Sequence, residues 1–436
     1  MPKLLRPGLE RYVSNTAWLL TEKIIRTLIN FVVVAWIARY LGPAQFGVLS
    51  FAQSLLFLFA AVATLGVDNI LIRELVSKKF AQGPLLFTSL ALKLIAASIV
   101  IAVMFAGLFA ASIDAETKLI VFLISFSLLF QSCNVIEFFF QAKVRSRYIA
   151  FTNLLMVLIS STVKVWLILV EAPLIALAAV ITLDAILVAA LLLIFFVKSG
   201  EHFSDWTFDR VIARQILKDG FPLFVSGTLV AIYLRIDQVL LHALIGPEVV
   251  GQYAVAIRLV DTYNIIPVAV ASALNPAIIA AKGTANYLSR LQALYDLLIW
   301  SSIAAIMGSA LLGAWFIQLM FGEVYRDAVL PFQIQMVSAL FLAIGYVTNT
   351  WLIAENRQVH MLIRSALGIL VNVLLNLMLI PVFGPVGAAV ATLVTQFSIT
   401  LLYLLTIGEV RPLARMVFRA FNPFQAYRRI YQQALT

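Results

Sequence analysis

Six basic residues lie inside stretches of this chain that are otherwise hydrophobic enough to cross a membrane: Lys23, Arg26, Lys93, Lys164, Arg235 and Arg258. A cation at the centre of a bilayer costs roughly 2.5–3.5 kcal/mol on insertion scales. Six cations facing lipid would therefore cost on the order of 15–20 kcal/mol, more than the net stability of a typical fold. We therefore expect these side chains to face a hydrated or ion-paired interior, and a cationic interior indicates an anionic ligand.

Two of the hydrophobic stretches place their polar residues on a single helical face. The spacing is i, i+3, i+7, which brings side chains to the same side of an α-helix. The two sets are Lys23, Arg26 and Asn30 in the first stretch, and Arg235, Gln238 and His242 in the seventh. Each predicts a polar, cationic stripe on a helix that is apolar elsewhere.

The composition predicts an all-α polytopic membrane protein. Hydrophobic residues make up 63% of the 436 residues and charged residues 12%, with a mean hydropathy of +1.01. Soluble domains carry about 45–50% apolar and about 25% charged residues. Long apolar runs favour membrane-spanning helices over the alternating strands of a β-barrel. Twelve spans are predicted at 13–38, 44–66, 85–111, 117–140, 148–170, 173–197, 219–244, 249–280, 289–319, 329–354, 360–381 and 385–407.

The distribution of basic residues predicts the orientation. The sequence contains 31 Lys and Arg residues, and outside the spans only Arg39, Lys118 and Arg326 fall on the side opposite the N-terminus. Cytoplasmic loops carry the excess of Lys and Arg, so both termini are expected in the cytoplasm. The net charge of +10 is explained by this bias, and no nucleic-acid partner is needed.

A Gly-Pro motif occurs at matching positions in the two halves of the chain. Leu41-Gly42-Pro43-Ala44-Gln45-Phe46-Gly47 follows the first span, and Ile245-Gly246-Pro247-Glu248-Val249-Val250-Gly251 follows the seventh. Gly-Pro favours a tight turn before a helix, and the later Gly allows close helix packing. Two parallel six-span repeats are therefore predicted around a central cavity. The predicted division is an N-terminal lobe (1–200), a linker (201–218), a C-terminal lobe (219–407) and a basic amphipathic tail lying on anionic lipid (408–436).

The first 80 residues resemble those of a known transporter family. The turn at Leu41–Gly47, the Leu65-Gly66-Val67-Asp68-Asn69 segment and the Ile72-Arg73-Glu74-Leu75 segment are similar to the polysaccharide-biosynthesis flippases of the multidrug/oligosaccharidyl-lipid/polysaccharide (MOP) superfamily. The resemblance implies movement of undecaprenyl-pyrophosphate-linked oligosaccharide from the cytoplasmic to the outer leaflet of the bacterial inner membrane, for O-antigen or exopolysaccharide synthesis. It also implies membrane lipids and glycan polymerase or assembly proteins as partners.

A pyrophosphate suits a cationic cavity, because guanidinium binds phosphate oxygens bidentately and lysine adds a point charge. Arg26 and Arg235 are the first candidates for this role. Lys23, Lys93, Arg258 and Lys164 are further candidates. Asp237, Asp261 and Asp184 are candidates for coupling to H⁺ or Na⁺, since a buried carboxylate can exchange a proton or bind a cation. We expect no cofactor, catalytic residue or metal site, and the single Cys133 excludes an internal disulfide.

The alternative is that these charges form internal ion pairs, such as Arg258 with Asp261, or Lys23 with Glu22 or Asp184. The six cations face about four acidic residues within the spans, so that pairing is expected to leave positive charge. Glu137 and Asp296 are assigned to span ends that reach water. Asn372 and Asn376, with Tyr346 and Asn349, are candidates for bonding sugar hydroxyls, although bonding between helices is the preferred interpretation.

Three other classes of protein remain open. A multidrug exporter would share the topology but requires an acidic or aromatic cavity. A peptidoglycan-precursor flippase also handles a pyrophosphate lipid, but its relatives carry fourteen spans. A membrane enzyme needs catalytic residues on sizeable outer loops, and every predicted outer loop here is roughly ten residues or fewer.

Overall fold

The computed structural model describes residues 7–111, 113–284 and 286–434, with side chains from residue 22 to residue 429 except at positions 112, 276 and 285. Within these ranges all regular structure is helical. This confirms the predicted all-α membrane class. The N-terminal half contains α1 (Pro7–Ala63), α2 (Val67–Ser77), α3 (Gln82–Ala110), α4 (Ala115–Ser125), α5 (Ser127–Gln131), α6 (Val135–Ala142), α7 (Arg147–Leu169) and α8 (Leu174–Lys198).

The C-terminal half contains α9 (Arg210–Leu244), α10 (Pro247–Ala280), α11 (Tyr287–Phe321), α12 (Val329–Ala354), α13 (Val359–Phe397), α14 (Tyr403–Thr406), α15 (Arg411–Ala420) and α16 (Pro423–Ala434). Short 3₁₀ helices occupy Ser132–Asn134 and Glu323–Ala328, and a π-helix at Ser398–Leu402 joins α13 to α14. Ten helical segments of the described chain are long and apolar enough to cross a membrane.

The twelve predicted spans fall within these ten segments because two segments each contain two spans. The helix α1 is broken at Gly42, which has φ 68° and ψ 172°, and α13 is broken at Gly384, which has φ 55° and ψ −131°. Gly246, with φ 133°, directly precedes α10. A positive φ is accessible to glycine at little cost, and the following proline presets the first turn of the next helix. The Gly-Pro pairs at 42–43 and 246–247 therefore form the predicted turns, and a further pair at 384–385 forms a similar one.

The two repeated motifs pack against each other reciprocally. A Cβ atom added at Gly47 would lie 1.7 Å from the carbonyl oxygen of Pro247, and one added at Gly251 would lie 2.0 Å from that of Pro43. Only glycine permits so close an approach of helix to backbone. The later glycine of each motif therefore serves the packing role that the sequence predicted.

The chain forms two compact units. The first contains Met1–Leu41 and Val48–Arg235, and the second contains Gly42–Gly47 and Ile236–Thr436. A buried core in the first unit includes Leu71, Leu85, Phe139, Phe196 and Ile216. A core in the second includes Tyr295, Ile299, Val347, Leu413 and Val417. The division lies within α9, and the predicted domain boundaries at 200 and 218 stay a prediction.

The chain after residue 408 folds onto the second unit. Leu413, Ala414, Val417 and Ala420 of α15 are buried in its core. One face of the tail therefore packs against protein, and the predicted contact of the tail with lipid stays a prediction. The reason is the spacing of these small and branched apolar residues, which gives α15 a narrow apolar stripe complementary to the bundle.

Candidate functional site

The polar stripe on α1 is held by an ion pair within one helix. Arg26 Nε donates to Glu22 Oε1 at 2.6 Å, with the four-residue spacing that allows such a bond. Glu22 is buried, whereas the side chain of Arg26 is 42% exposed. Lys23 is exposed. Glu22, proposed above as a partner for Lys23, thus bonds to Arg26 instead.

Lys93 of α3 lies in a buried ion pair with a residue that the sequence assigned to a loop. Its Nζ atom lies 2.7 Å from Asp68 Oδ1 in α2 and 5.3 Å from the centre of the Phe138 ring in α6. The ammonium group therefore has both a carboxylate and an aromatic face as partners. Counting acids only within the predicted spans overlooked Asp68, because α2 lies between two spans.

Glu137 of α6 connects these two pairs electrostatically. Its carboxyl group is within electrostatic range of Arg26, Glu22 and Lys93, and Gln141 donates to its Oε1 at 3.5 Å. Glu137 is half-buried among charged neighbours, and its predicted contact with water at a span end stays a prediction. We call the set Glu22, Arg26, Asp68, Lys93 and Glu137 the N-terminal charged cluster. It contains two cations and three carboxylates, and the expected cationic binding site stays a prediction.

Lys164 of α7 is also ion-paired. Its Nζ lies 3.1 Å from Asp184 Oδ2 in α8, and Ser160 Oγ donates to the same oxygen at 2.7 Å. Ser160 and Lys164 are four residues apart and so lie on one face of α7. Asp184, a candidate for ion coupling, is thus held by one cation and one hydroxyl.

Arg235 and Asp237, two charged residues of α9, lie in different environments. The guanidinium of Arg235 lies 5.3 Å from the centre of the Phe57 ring in α1, a distance typical of a cation–π contact. Asp237 is buried and faces elsewhere: Tyr253 of α10 donates to its Oδ2 at 2.6 Å, and Gln335 of α12 donates to the Tyr253 hydroxyl at 2.7 Å. Asp237, Tyr253 and Gln335 therefore form a buried network, which we call the Asp237 network.

Arg258 and Asp261 complete the candidate residues. Arg258 is half-buried in α10, and its carbonyl oxygen accepts from Thr262 Oγ1 at 2.8 Å. Asp261 is exposed on the same helix. Arg258 belongs to the second unit, whereas the other five intramembrane cations belong to the first. The binding and coupling roles of all these residues stay predictions.

Sequence reasoning missed a buried arginine in α13. Arg364, near the start of the predicted span 360–381, was counted among the cytoplasmic basic residues, but it is 7% exposed. Its Nε donates to the carbonyl oxygen of Ile399 at 2.7 Å, Nη1 to Asn349 Oδ1 at 3.1 Å and Nη2 to Thr400 Oγ1 at 3.4 Å. Ile399 and Thr400 lie in the π-helix, whose altered ladder presents such carbonyl groups.

Two asparagines continue the buried face of α13. Asn372 and Asn376 are 1% and 0% exposed, and Asn376 Nδ2 donates to Asn372 Oδ1 at 3.0 Å. Both lie at four-residue steps from Arg364 through Gly368, which is also buried. Burial on this face agrees with the interpretation of both residues as parts of the helical packing. Among the residues that the structure describes, no group of three His, Cys, Asp or Glu side chains is arranged to hold a metal.

The fold is that of MOP superfamily transporters. The structure is similar to an inward-facing MATE multidrug resistance transporter of that superfamily, with TM-score 0.66, 14% identity, and coverage of 89% of this chain and 96% of that one. It is similar to the MATE transporter DinF-BH in complex with R6G (TM-score 0.65, 15% identity, 93% and 96% covered). A third similar structure is a MOP transporter from Pyrococcus furiosus, for which reverse polarity of the binding pocket suggests a different function (TM-score 0.63, 14% identity, 97% and 95% covered).

Residues 12–282 match the family described as polysaccharide biosynthesis protein. The matched segment is more than half of the 436 residues, and the chain belongs to this family. The resemblance in the first 80 residues is thus confirmed. No curated protein matches the chain. The protein is a multi-pass membrane protein of a transporter family.

Proposed function

We propose that this protein moves polyprenyl-pyrophosphate-linked oligosaccharides across the bacterial inner membrane, from the cytoplasmic to the outer leaflet, by alternating access. The observation that carries the proposal is the exposed basic face of α1. Lys23 and the half-exposed Arg26 lie on a helical segment long and apolar enough to cross a membrane, where exposed cations are costly without an anionic ligand or water. Membership of the polysaccharide biosynthesis family supports the glycan part of the substrate.

The geometry at Arg26 suits a pyrophosphate. Glu22 bonds to Nε alone, which leaves the edge formed by Nη1 and Nη2 for two phosphate oxygens. Lys23 supplies a second positive charge one residue away. A pyrophosphate oxygen can therefore join Arg26 without displacing Glu22, and we assign the planar guanidinium of Arg235, which stacks on Phe57, to a second phosphate group.

We propose that a proton or sodium ion drives the cycle through buried carboxylates. Asp237 is buried and accepts a hydrogen bond from Tyr253, and Asp184 is bonded to Lys164. Protonation of Asp184 would release Lys164, and protonation of Asp237 would remove the charge that Tyr253 stabilises. Asp261, which is exposed on α10, is a third candidate.

A second candidate function is export of a cationic compound. The observation that favours it is the composition of the N-terminal charged cluster, in which Glu22, Asp68 and Glu137 outnumber Arg26 and Lys93. Among the similar structures, one MATE multidrug transporter is in complex with R6G. A cluster with net negative charge attracts a lipophilic cation, whereas the exposed face of α1 attracts an anion.

The test compares ligands on the purified protein. Thermal stabilisation is measured with an undecaprenyl-pyrophosphate glycolipid and with a lipophilic cation, on the wild type and on the Arg26→Ala/Arg235→Ala variant. Ligand binding to the native state raises the melting temperature. We expect stabilisation by the glycolipid, lost in the variant, and none by the cation. An Arg210→Ala/Arg214→Ala variant is the matched control, because both arginines are exposed on α9.

The outcomes separate the two functions. Stabilisation by the cation alone, lost in a Glu22→Gln variant, would support export of cations and overturn the proposed substrate. Stabilisation by the glycolipid that survives in the Arg26→Ala/Arg235→Ala variant would retain the substrate but contradict the two arginines as its binding residues. Undecaprenyl pyrophosphate without glycan distinguishes recognition of the pyrophosphate from recognition of the sugars.

A further inference from the structure

One face of the tail helices is fixed to α11 by a row of polar side chains. Gln292, Asp296 and Trp300 follow one another at four-residue steps and so share a helical face. Gln292 Nε2 donates to the carbonyl oxygen of Met416 at 3.0 Å, and Trp300 Nε1 donates to that of Ala420 at 2.9 Å. Both acceptors lie in the last turns of α15, where helix carbonyl groups otherwise lack partners.

The remaining contact ties α16 to the same row. Arg429 donates through Nε to Asp296 Oδ2 at 2.6 Å and through Nη2 to Asp296 Oδ1 at 3.0 Å, and Gln292 donates to Oδ1 at 3.0 Å. Asp296 is fully buried, contrary to the span-end position expected for it, and its charge is balanced by this bidentate pair. Arg429 also donates to the carbonyl oxygen of Arg419 at 3.1 Å. The inner face of the two helices is therefore fixed.

The outer face of the same helices is basic and aromatic. Arg411, Arg415 and Arg419 are exposed at four-residue steps on α15, and Phe418 is exposed beside them. On α16, Phe424 is 86% exposed and Tyr427 is also largely exposed. The sequence contains no Asp or Glu after Glu409. We call this set the outer tail face: Arg411, Arg415, Phe418, Arg419, Phe424, Tyr427 and Arg428.

The position of this face along the chain determines its surroundings. The apolar segment Val359–Thr406 is long enough to cross a membrane, and α15 begins at Arg411. A link of four residues spans at most about 14 Å. The helix α15 therefore begins within that distance of the end of the last membrane-crossing segment, close to the lipid head-group layer, which is about 5–8 Å thick on each side of the bilayer.

We propose that the outer tail face binds anionic phospholipid at the bilayer surface. Arginines at i, i+4 and i+8 on an exposed helical face attract phosphate head groups, while neighbouring Phe and Tyr rings enter the boundary between head groups and acyl chains. The proposal commits to lipid because the face combines cations with large exposed aromatic rings at head-group depth. An acidic protein would satisfy the arginines but would leave Phe424 in water.

The experiment uses the full chain in lipid nanodiscs. Hydrogen–deuterium exchange of the peptides that cover 411–429 is compared between nanodiscs of phosphatidylcholine alone and nanodiscs that also contain phosphatidylglycerol. We expect slower exchange in the anionic nanodiscs. In an Arg411→Gln/Arg415→Gln/Arg419→Gln variant this difference should disappear, because each Lys or Arg near an anionic surface contributes about fivefold to binding, or on the order of 100-fold for three.

Two controls keep the result specific to this face. An Arg210→Gln/Arg214→Gln/Lys218→Gln variant removes three exposed cations with the same spacing from α9 and should leave the lipid-dependent protection of 411–429 unchanged. Protection that is equal in both kinds of nanodisc, or that survives in the tail variant, would overturn the proposal. Protection produced by soluble polyglutamate but not by phosphatidylglycerol would indicate an acidic protein partner and would also overturn it.

Discussion

The buried pair between Lys93 and Asp68 allows a sharp test of whether an intramembrane cation serves the fold or the substrate. The side chain of Lys93 is 6% exposed, whereas that of Asp68 is 31% exposed. The two single substitutions are therefore not equivalent. Asp68→Asn leaves a buried ammonium group without its carboxylate, while Lys93→Met leaves a carboxylate that can rehydrate.

The distance sets the scale of the effect. Two unit charges 2.7 Å apart attract each other by about 6 kcal/mol at an effective dielectric constant of about 20, and desolvation offsets most of this. Removing one partner of a fully buried pair costs about 3–5 kcal/mol. Because Asp68 is partly hydrated, we expect Asp68→Asn to lower the free energy of unfolding by about 2–3 kcal/mol. Lys93→Met should cost about 1 kcal/mol, since a thioether packs well against the Phe138 ring.

The assay is a double-mutant cycle of unfolding free energies in mixed micelles. The Lys93→Met/Asp68→Asn variant should be more stable than Asp68→Asn alone, because the second substitution removes the stranded charge. An exposed ion pair serves as the control. Arg357 Nη1 lies 2.5 Å from Glu409 Oε2, but these side chains are 38% and 63% exposed, so Arg357→Gln should cost less than about 1 kcal/mol.

The outcome that would refute this reasoning is equal and additive loss from the two single substitutions, which would mean that the pair contributes no net coupling. Transport measured on the same variants separates fold from function. If Lys93 only balances Asp68, the double variant should transport glycolipid nearly as well as the wild type. If Lys93 binds pyrophosphate, every variant that lacks it should lose transport, whatever its stability.

Three further predictions rest on packing and buried charge. Gly47→Ala should lower the free energy of unfolding by at least about 2 kcal/mol, because its Cβ would lie 1.7 Å from the Pro247 carbonyl oxygen. Gly308→Ala is the control and should be neutral or stabilising, since a Cβ at Gly308 would have no atom within 4 Å. Equal thermal stability of the two variants would contradict this prediction. Arg429→Gln should lower the free energy of unfolding by about 3 kcal/mol and make the tail more susceptible to protease, because the buried Asp296 loses its ion-pair partner. Unchanged proteolysis would argue against the contact. Arg364→Lys keeps the positive charge but should lower the free energy of chemical unfolding by about 2 kcal/mol, since one ammonium group cannot reproduce three bonds to separate acceptors. Stability at the wild-type level would disprove this prediction.

The helical spans and their turns were predictable because their signals are local. A run of apolar residues specifies a membrane helix within its own length, and Gly-Pro specifies a turn within two residues. The breaks at Gly42 and Gly384 follow from this chemistry alone. The reciprocal packing of Gly47 and Gly251 was predictable only as close packing, because the sequence does not name the partner backbone.

The partners of buried charges were not predictable because they depend on distant segments. Asp68 was placed between spans, and nothing in its own neighbourhood indicates a contact with Lys93. Arg364 lies four residues inside the predicted span 360–381 and was counted with the adjacent cytoplasmic basic residues, whereas its acceptors come from α12 and the π-helix. Asp296 pairs with Arg429 across 133 positions of sequence. Counting charges only within the predicted spans therefore missed Asp68 as the partner of Lys93.

The ion pairs themselves rank the candidate binding residues. A phosphate that binds Lys93 must first displace Asp68 from a buried ammonium group. The free energy of the Lys93–Asp68 ion pair is then lost before any bond to phosphate forms. A phosphate that binds Lys164 must compete with Asp184, which Ser160 also holds in place. At Arg26 no such exchange is needed, since Glu22 bonds to Nε and the Arg26 side chain is 42% exposed. We therefore expect Arg26→Ala to weaken glycolipid binding more than Lys164→Ala, and an isothermal titration in which the order is reversed would contradict this ranking.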